Sequence, residues 1–293
     1  MRIQAAIAEL GYIPNLLAGS FATQKSDLVA VEIPTLTNSV FSETIESMTS
    51  ELAKAGVVVM LGLTGFDPGQ TRKVVIAALS RRADAIILTS EIDDDLRDLL
   101  RRADITVIEI WDLPDEAIDI AVGFSHKAVG EEVARFADMR GYGRPHLVTS
   151  ESSRARQRRQ GFLDVWKELG HQPPSEESLQ APLRFGQARG AFARMRRLSV
   201  QPDVIVCGSD LLAQGIIVEA HAAGMKVPDD IAVIGFGNAA VAGEMRPTIT
   251  SIDIDGKRIA LEAISLLRQR AAGNLPREHT INRGFRLIAR ESA

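Results

Sequence analysis

The stretch Leu28-Val29-Ala30-Val31-Glu32-Ile33 decides the fold, together with the two segments that follow it. It is an apolar run of strand length. Residues 40–55 then have the periodicity of an amphipathic helix, and residues 57–61 form a second apolar run. Strands that alternate with helices in this way are typical of a parallel sheet covered by helices on both faces. The sequence therefore predicts an α/β fold.

The same alternation continues along the chain in two series, which predicts two doubly wound parallel-sheet lobes. The first series adds strands at 85–89, 106–110 and 119–122, with helices at 70–82 and 92–102. The second series has strands at 146–149, 203–207 and 231–236, with helices at 126–140, 155–169, 187–198 and 210–223. The tail is less regular: a crossing strand at 248–253, a helix at 256–269 and a final strand at 285–289.

Composition limits the class of protein. The 293 residues are 45% hydrophobic and 25% charged, as in ordinary globular proteins. No apolar run reaches the ~20 residues of a membrane span, and Arg2, Gln4 and Glu9 interrupt any signal-peptide core, so we expect a cytoplasmic protein without a membrane partner. The net charge of -4 argues against a nucleic-acid-binding main body. A single cysteine and five dispersed histidines predict no metal site, and no cofactor is predicted.

The first residues predict a different kind of structure. Residues 2–10 have the pattern of a short amphipathic helix, and Gly11 lies where a helix C-cap favours glycine. Residues 15–23 are small and only weakly amphipathic, too short to form a stable helix alone. This second segment needs a partner in order to fold.

The motifs Ala5-Ala6-Ile7-Ala8-Glu9-Leu10-Gly11-Tyr12-Ile13-Pro14-Asn15 and Ala18-Gly19-Ser20-Phe21-Ala22-Thr23 resemble the third helix and hinge helix of the lactose-repressor/galactose-repressor (LacI/GalR) family. The segment 31–41 is similar to the gluconate-utilisation repressor branch. The resemblance covers essentially the whole chain, but the first two helices of the family's helix-turn-helix have no counterpart here. It implies a periplasmic-binding-protein-like fold with three crossovers, near residues 125, 250 and 276. The expected units are the headpiece remnant and hinge at 1–26, the N-terminal lobe at 27–125 plus 251–276, and the C-terminal lobe at 126–250 plus 277–293.

The resemblance also implies partners. In the family the hinge helix folds against its twin in the DNA minor groove and a leucine wedges between base pairs. The matching hinge residues here are Asn15, Ala18 and Phe21, with Phe21 at the leucine position. Operator binding is expected to be weak or absent without the recognition helix.

A homodimer is also expected, because two helices of the first lobe carry more apolar residues than one sheet face requires. The alternative is that these residues belong to the lobe core. They are Ile45, Met48, Leu52, Val74, Val75, Ala78 and Leu79.

Ligands of such folds bind beyond the carboxyl ends of the strands, so the loops there carry the candidate ligand contacts. After the first strand these are Asn38, Ser39 and Phe41, and after the second Thr64; Asn38 or Ser39 could instead only cap the next helix. The run 152–162 opens a helix rich in arginine, which favours an anion. By resemblance Arg158, three residues before Gly161-Phe162, contacts the sugar, whereas Arg154, Arg156 and Arg159 fit a solvated face.

The remaining candidates also come from the resemblance. Phe185 lies where the family places an aromatic ring over the effector, with a core position as the alternative. Ser209-Asp210 matches the family's Asn-Asp pair, and Asp210 also fits a helix N-cap. Gly237 and Asn238 stand where the family has two acidic residues, which removes repulsion against an anionic ligand. The absence of these two acidic residues favours a sugar acid as the ligand.

These features favour the effector-binding and dimerisation part of a transcriptional regulator that senses gluconate or a related sugar acid. An enzyme is disfavoured, because the sequence has no nucleophile elbow, metalloprotease motif, phosphate loop or dinucleotide fingerprint. A solute-binding protein for a sugar, without a DNA-binding role, is the alternative that shares the two-lobed fold.

Overall fold

The computed structural model describes residues 25–37, 39–103, 105–274 and 278–293. The predicted hinge residues Asn15, Ala18 and Phe21, and the ligand candidate Asn38, lie outside these ranges. In the described ranges no helix is long and apolar enough to span a membrane.

Twelve strands and nine α-helices are described. The strands are β1 (Leu28–Ile33), β2 (Val58–Leu63), β3 (Ala85–Leu88), β4 (Thr106–Ile110), β5 (Ile120–Gly123), β6 (Pro145–Ser150), β7 (Ser175–Leu179), β8 (Val204–Cys207), β9 (Ala232–Gly237), β10 (Thr250–Asp253), β11 (Thr280–Asn282) and β12 (Arg286–Ile288). The helices are α1 (Ser39–Ala53), α2 (Pro68–Ser80), α3 (Asp94–Arg102), α4 (His126–Met139), α5 (Ser153–Glu168), α6 (Ala188–Met195), α7 (Asp210–Ala222), α8 (Ala240–Glu244) and α9 (Gly256–Ala271).

The strands form two sheets, one in each lobe, as predicted, and each sheet has six strands. The first sheet has the order β11-β5-β4-β3-β1-β2, and the second has the order β12-β10-β9-β8-β6-β7. All neighbouring strands are parallel except β10 and β12. The central strands are apolar and buried, which is typical of parallel sheets covered on both faces.

The crossovers between the lobes differ in part from the expected positions. The first lies at 124–125, between β5 and α4. The second follows β10, because β10 pairs with β9 of the second sheet before the chain returns to the first lobe. The third follows β11, which pairs with β5 of the first sheet. The expected boundaries at 250 and 276 therefore move to 254–255 and 283–285.

Side-chain caps fix the beginnings of the helices that approach the cleft. Asp67, Ser125, Ser152 and Ser209 each accept a hydrogen bond from a backbone N–H in the first turn of α2, α4, α5 and α7, respectively. These caps place the N-termini of the helices at the edge where the parallel strands end. Three regular segments were absent from the prediction: the polar edge strand β7, the short helix α8, and β11.

Candidate functional site: the cleft between the lobes

A cavity of 290 Å³ lies between the lobes at the carboxyl ends of the strands. The first lobe lines it with the loops after β1, β2, β3 and β4. The second lobe contributes the start of α4, the β6–α5 segment, the loop after β7, the loop after β8, and Phe236 of β9. Its position and size suit a small ligand.

Arg158 is the charged centre of the second-lobe wall. Its Nη1 lies 2.9 Å from Nδ1 of His126, and its Cζ lies 4.1 Å from the centre of the Phe236 ring. Across the described ranges, no carboxylate forms an ion pair with it. Burial, followed by repulsion from Arg154, lowers the pKa of Arg158 to about 10. A half-buried guanidinium that stays protonated at neutral pH without a carboxylate partner is suited to an anion.

His126 lies beneath Arg158 and is buried. Its Nε2 is 2.9 Å from the backbone oxygen of Trp111, which can only accept a hydrogen bond. Arg158 can only donate one, so Nε2 of His126 carries the proton and Nδ1 accepts. Burial and the charges of Arg158 and Arg154 hold the pKa of His126 well below its usual value. The imidazole is therefore neutral and present as one tautomer.

Arg154 adds a second guanidinium to the same wall. It donates to Asp112 Oδ2 at 3.3 Å and to the backbone oxygen of Ile110 at 3.1 Å, so its charge is paired. Three hydroxyls line the cavity beside it, from Ser150, Ser152 and Ser153. The wall thus combines Arg158, a cation that has no carboxylate partner among the described residues, with the N-terminal turn of α5.

Two glycines set the distance between α4 and α5. A Cβ on Gly130 would overlap the backbone oxygen of Arg158, and a Cβ on Gly161 would overlap the backbone oxygen of Lys127. The helices therefore approach each other to backbone contact. This contact fixes Arg158 relative to His126.

The first-lobe wall is aromatic and rich in hydroxyls. Phe41 and Trp111 meet edge to face, with ring centres 5.2 Å apart. Thr89 and Ser90 are held by the buried carboxylate of Glu32, which accepts hydrogen bonds from both backbone N–H groups, at 3.1 and 2.9 Å. This wall offers an apolar face beside polar groups, which suits a carbon chain that carries hydroxyls.

Comparisons with known proteins agree with this architecture. A family model described as a periplasmic binding protein-like domain matches residues 134–293. The HTH-type transcriptional regulator GntR of Pseudomonas aeruginosa is 30% identical, over 99% of this chain and 86% of that protein. The chain belongs to the LacI family of transcriptional regulators. It contains the ligand-binding region of such a regulator.

Other relatives of this LacI-family chain are also transcription regulators by name. The GntR regulator of Escherichia coli strain K12 is 28% identical, over 98% of this chain and 87% of that protein. A crystal structure of a LacI family protein from Silicibacter pomeroyi superimposes with a TM-score of 0.92, at 27% identity, over 99% of this chain and 89% of that one. The structure of regulator GntR from Chromobacterium violaceum gives a TM-score of 0.85 at 26% identity, over 90% of this chain and 98% of that one.

The structure brings three of the predicted ligand residues to the cavity: Phe41, Arg158 and Ser209. Ser209 also caps α7, where its Oγ accepts from the Leu212 N–H at 3.3 Å. The predicted Ser39 is the first residue of α1.

Four predicted residues lie away from the cavity. Thr64 donates to Glu32 Oε1 at 2.6 Å in the first-lobe core. Phe185 is exposed on a short 3-10 helix before α6, not in the core. Asn238 donates to Asp253 Oδ1 at 3.0 Å and accepts from Arg290 at 2.6 Å. These hydrogen bonds occupy the polar groups of Thr64 and Asn238 within the protein.

Asp210 is the fourth of these residues, and it is not the N-cap of α7 either. Its carboxylate accepts from the Ser251 hydroxyl at 2.6 Å and from the Ala239 N–H at 2.7 Å. Burial raises its pKa, although these hydrogen bonds oppose the shift. The residue holds the loop after β9 onto β10.

Sequence reasoning missed three residues of the site. Arg154 was expected on a solvated face, but its contact with Asp112 brings it to the cavity. Neither His126 nor Trp111 belongs to a motif; the only signal was their position shortly after β5 and β4, at the edge where the parallel strands end. Arg156 is exposed and Arg159 pairs with Glu176, as a solvated face predicts.

Proposed function

We propose that this LacI-family chain senses a sugar acid, gluconate or a close relative, in the cleft between its lobes. The observation that carries the proposal is the half-buried guanidinium of Arg158, which faces the cavity with an imidazole and an aromatic ring as its partners. A carboxylate ligand would complete a charge-assisted hydrogen-bonded pair there. The role is binding rather than catalysis.

The balance of charge in the cavity supports an anion. Of the described residues that line it, Glu91 alone carries a carboxylate, and it is exposed at the rim of the first lobe. Arg154 is neutralised by Asp112, so Arg158 leaves one positive charge for the ligand. A single carboxylate matches that charge.

The departures at Gly237 and Asn238 support the same ligand class. Neither residue lines the cavity, and Gly237 lies at φ +120° with its Cα against Val40 of the first lobe, where a Cβ would be 2.8 Å from Val40 Cγ2. An acidic side chain at this loop would bring negative charge close to the cleft. Glycine at this position removes the repulsion that such a side chain would exert on an anionic ligand.

Calorimetric titration tests the proposed ligand. We expect gluconate to bind more tightly than glucose, which has a similar carbon chain and hydroxyls but no carboxylate. A phosphate ester of gluconate and a ketogluconate would define the tolerated charge and oxidation state. Equal affinity for gluconate and glucose would contradict the assignment.

We also propose a homodimer, through a different surface from the one that the sequence indicated. Ile45, Met48 and Leu52 of α1 are buried in the lobe core, as are Val75 and Ala78 of α2. The most exposed apolar side chains of this lobe belong to the sheet-edge strand β2, where Val58 is 61% and Leu63 56% exposed, and Ile76 of α2 is 45% exposed. An uncovered apolar edge of this kind is suited to a second copy of the chain.

Sedimentation velocity tests the dimer. The wild type should sediment as a dimer at micromolar concentration, and Leu63→Lys should shift it to monomer. Val200→Lys is a matched control, because Val200 is 63% exposed on the other lobe. A monomeric wild type, or a dimer unaffected by Leu63→Lys, would reject this surface.

Operator DNA is the remaining proposed partner, by family membership; the hinge residues expected to contact it lie outside the described ranges.

A further inference from the structure

His126 joins the two walls of the cleft. It is the first residue of α4 in the second lobe, and its ring contacts Trp111, the residue that follows β4 of the first lobe. Its other ring nitrogen accepts from Arg158 at 2.9 Å. One imidazole therefore connects the proposed anion-binding group with the backbone of the opposite lobe.

The contact to Trp111 falls at an unusual point of the backbone. Trp111 has φ +76°, a conformation that non-glycine residues rarely adopt and that surrounding contacts must maintain. Its N–H donates to Val122 O at 3.1 Å, and its carbonyl accepts from His126. Among the described residues, the imidazole is thus one of two groups that hydrogen-bond to the backbone of Trp111, one on each side of its Cα.

We propose that neutral His126 is a positioning residue that aims the Arg158 guanidinium into the cleft and ties it to the Trp111 backbone, so that anion binding is coupled to the relative position of the lobes. The inference rests on the proposed function. The charged groups near the ring are Arg158 and Arg154, with Asp112 paired to Arg154. Protonation of Nδ1 would remove the acceptor that Arg158 uses.

Two substitutions separate the two contacts of the ring. Asparagine places an acceptor near the position of Nδ1, whereas glutamine places an amide donor near the position of Nε2. His126→Asn should therefore retain the contact with Arg158 and lose the contact with Trp111, and His126→Gln should do the reverse. His146→Asn is the control for replacing a buried histidine of the same lobe, because His146 contacts Ser175 and not the cleft.

Gluconate titrations and fluorine NMR of 5-fluorotryptophan-labelled protein read out the two contacts. We expect His126→Gln to weaken gluconate binding about tenfold or more, as for a lost hydrogen bond to a charged group, and His126→Asn to weaken it much less. The Trp111 resonance, assigned by Trp166→Phe, should shift in His126→Asn and stay near its wild-type position in His126→Gln. Equal loss of affinity in both variants with an unmoved Trp111 resonance would overturn the proposal.

Nitrogen NMR of the histidine rings in the ligand-free protein provides a test that needs neither ligand nor variants. The proposal requires His126 to be the neutral Nε2–H tautomer at about pH 6.5, where an ordinary histidine is half protonated. A protonated ring, or the Nδ1–H tautomer, would overturn it even if the variants fail to fold. If the wild type does not bind gluconate, the proposed ligand is wrong, and the tautomer still decides the role of His126.

Discussion

The two walls of the cleft are built differently. The second-lobe wall carries the charge, in Arg158 and Arg154 of α5, whose backbone touches that of α4. The first-lobe wall carries an aromatic face and hydroxyl groups, which the buried carboxylate of Glu32 holds from behind. Under the proposed function, selection for charge belongs to the second lobe and recognition of the carbon chain to the first. Changes in one wall should therefore alter specificity in a way that changes in the other do not.

The largest expected effect is a loss of stability when the contact between α4 and α5, which supports the charged wall, is disturbed. Gly130→Ala would place a methyl group on the backbone oxygen of Arg158, which cannot rotate away as a side chain could. We expect the free energy of unfolding to fall by about 3 kcal/mol, the upper part of the range for overpacking. Denaturant titration measures it. Gly186→Ala is the control, because no atom lies within 4 Å of its Cβ position, and an equal effect of both substitutions would contradict the helix-contact argument.

Arg158→Ala tests charge selection by the same wall. We expect gluconate affinity to fall by about 1.5 to 3 kcal/mol, the range for a hydrogen bond to a charged group, with little change for glucose. Arg156→Ala on the same helix is exposed and should leave both affinities unchanged. Unaltered gluconate binding in Arg158→Ala would remove Arg158 from the site.

The difference between the walls also explains what the sequence could predict. The position of Arg158 at the cavity was predictable from the family resemblance, in which an arginine precedes a pair such as Gly161-Phe162. The strands were predictable because their apolar runs are buried on both faces. The contact between Arg158 and His126 was not predictable, because His126 lies 32 residues before Arg158 in the chain and only the packing of α4 against α5 brings them together. Asp210 and Asn238 have residue types suited to a sugar, but β10 lies close enough to take their hydrogen bonds.

Glu32→Gln tests the support of the first-lobe wall. The Glu32 carboxylate accepts from the hydroxyls of Thr64 and Ser90, at 2.6 Å each, and from the N–H groups of Thr89 and Ser90. A glutamine NH₂ group would face donors at one of these positions. We expect thermal and denaturant unfolding to show a loss of about 1 to 2 kcal/mol. The exposed Glu46→Gln on α1 is the control, and full stability of Glu32→Gln would show that these hydrogen bonds are dispensable.

The smallest effect should come from the aromatic face. Phe41→Leu retains an apolar side chain but removes the edge-to-face contact with Trp111 and the flat surface at the cavity. We expect gluconate and glucose to lose affinity equally, by about 0.5 to 1.5 kcal/mol, because an aromatic face does not distinguish their charge. Phe185→Leu is the matched control, since Phe185 is exposed away from the cavity and should not alter either titration. A loss confined to gluconate in Phe41→Leu would mean that the first-lobe wall also selects charge, and the division between the two walls would then be wrong.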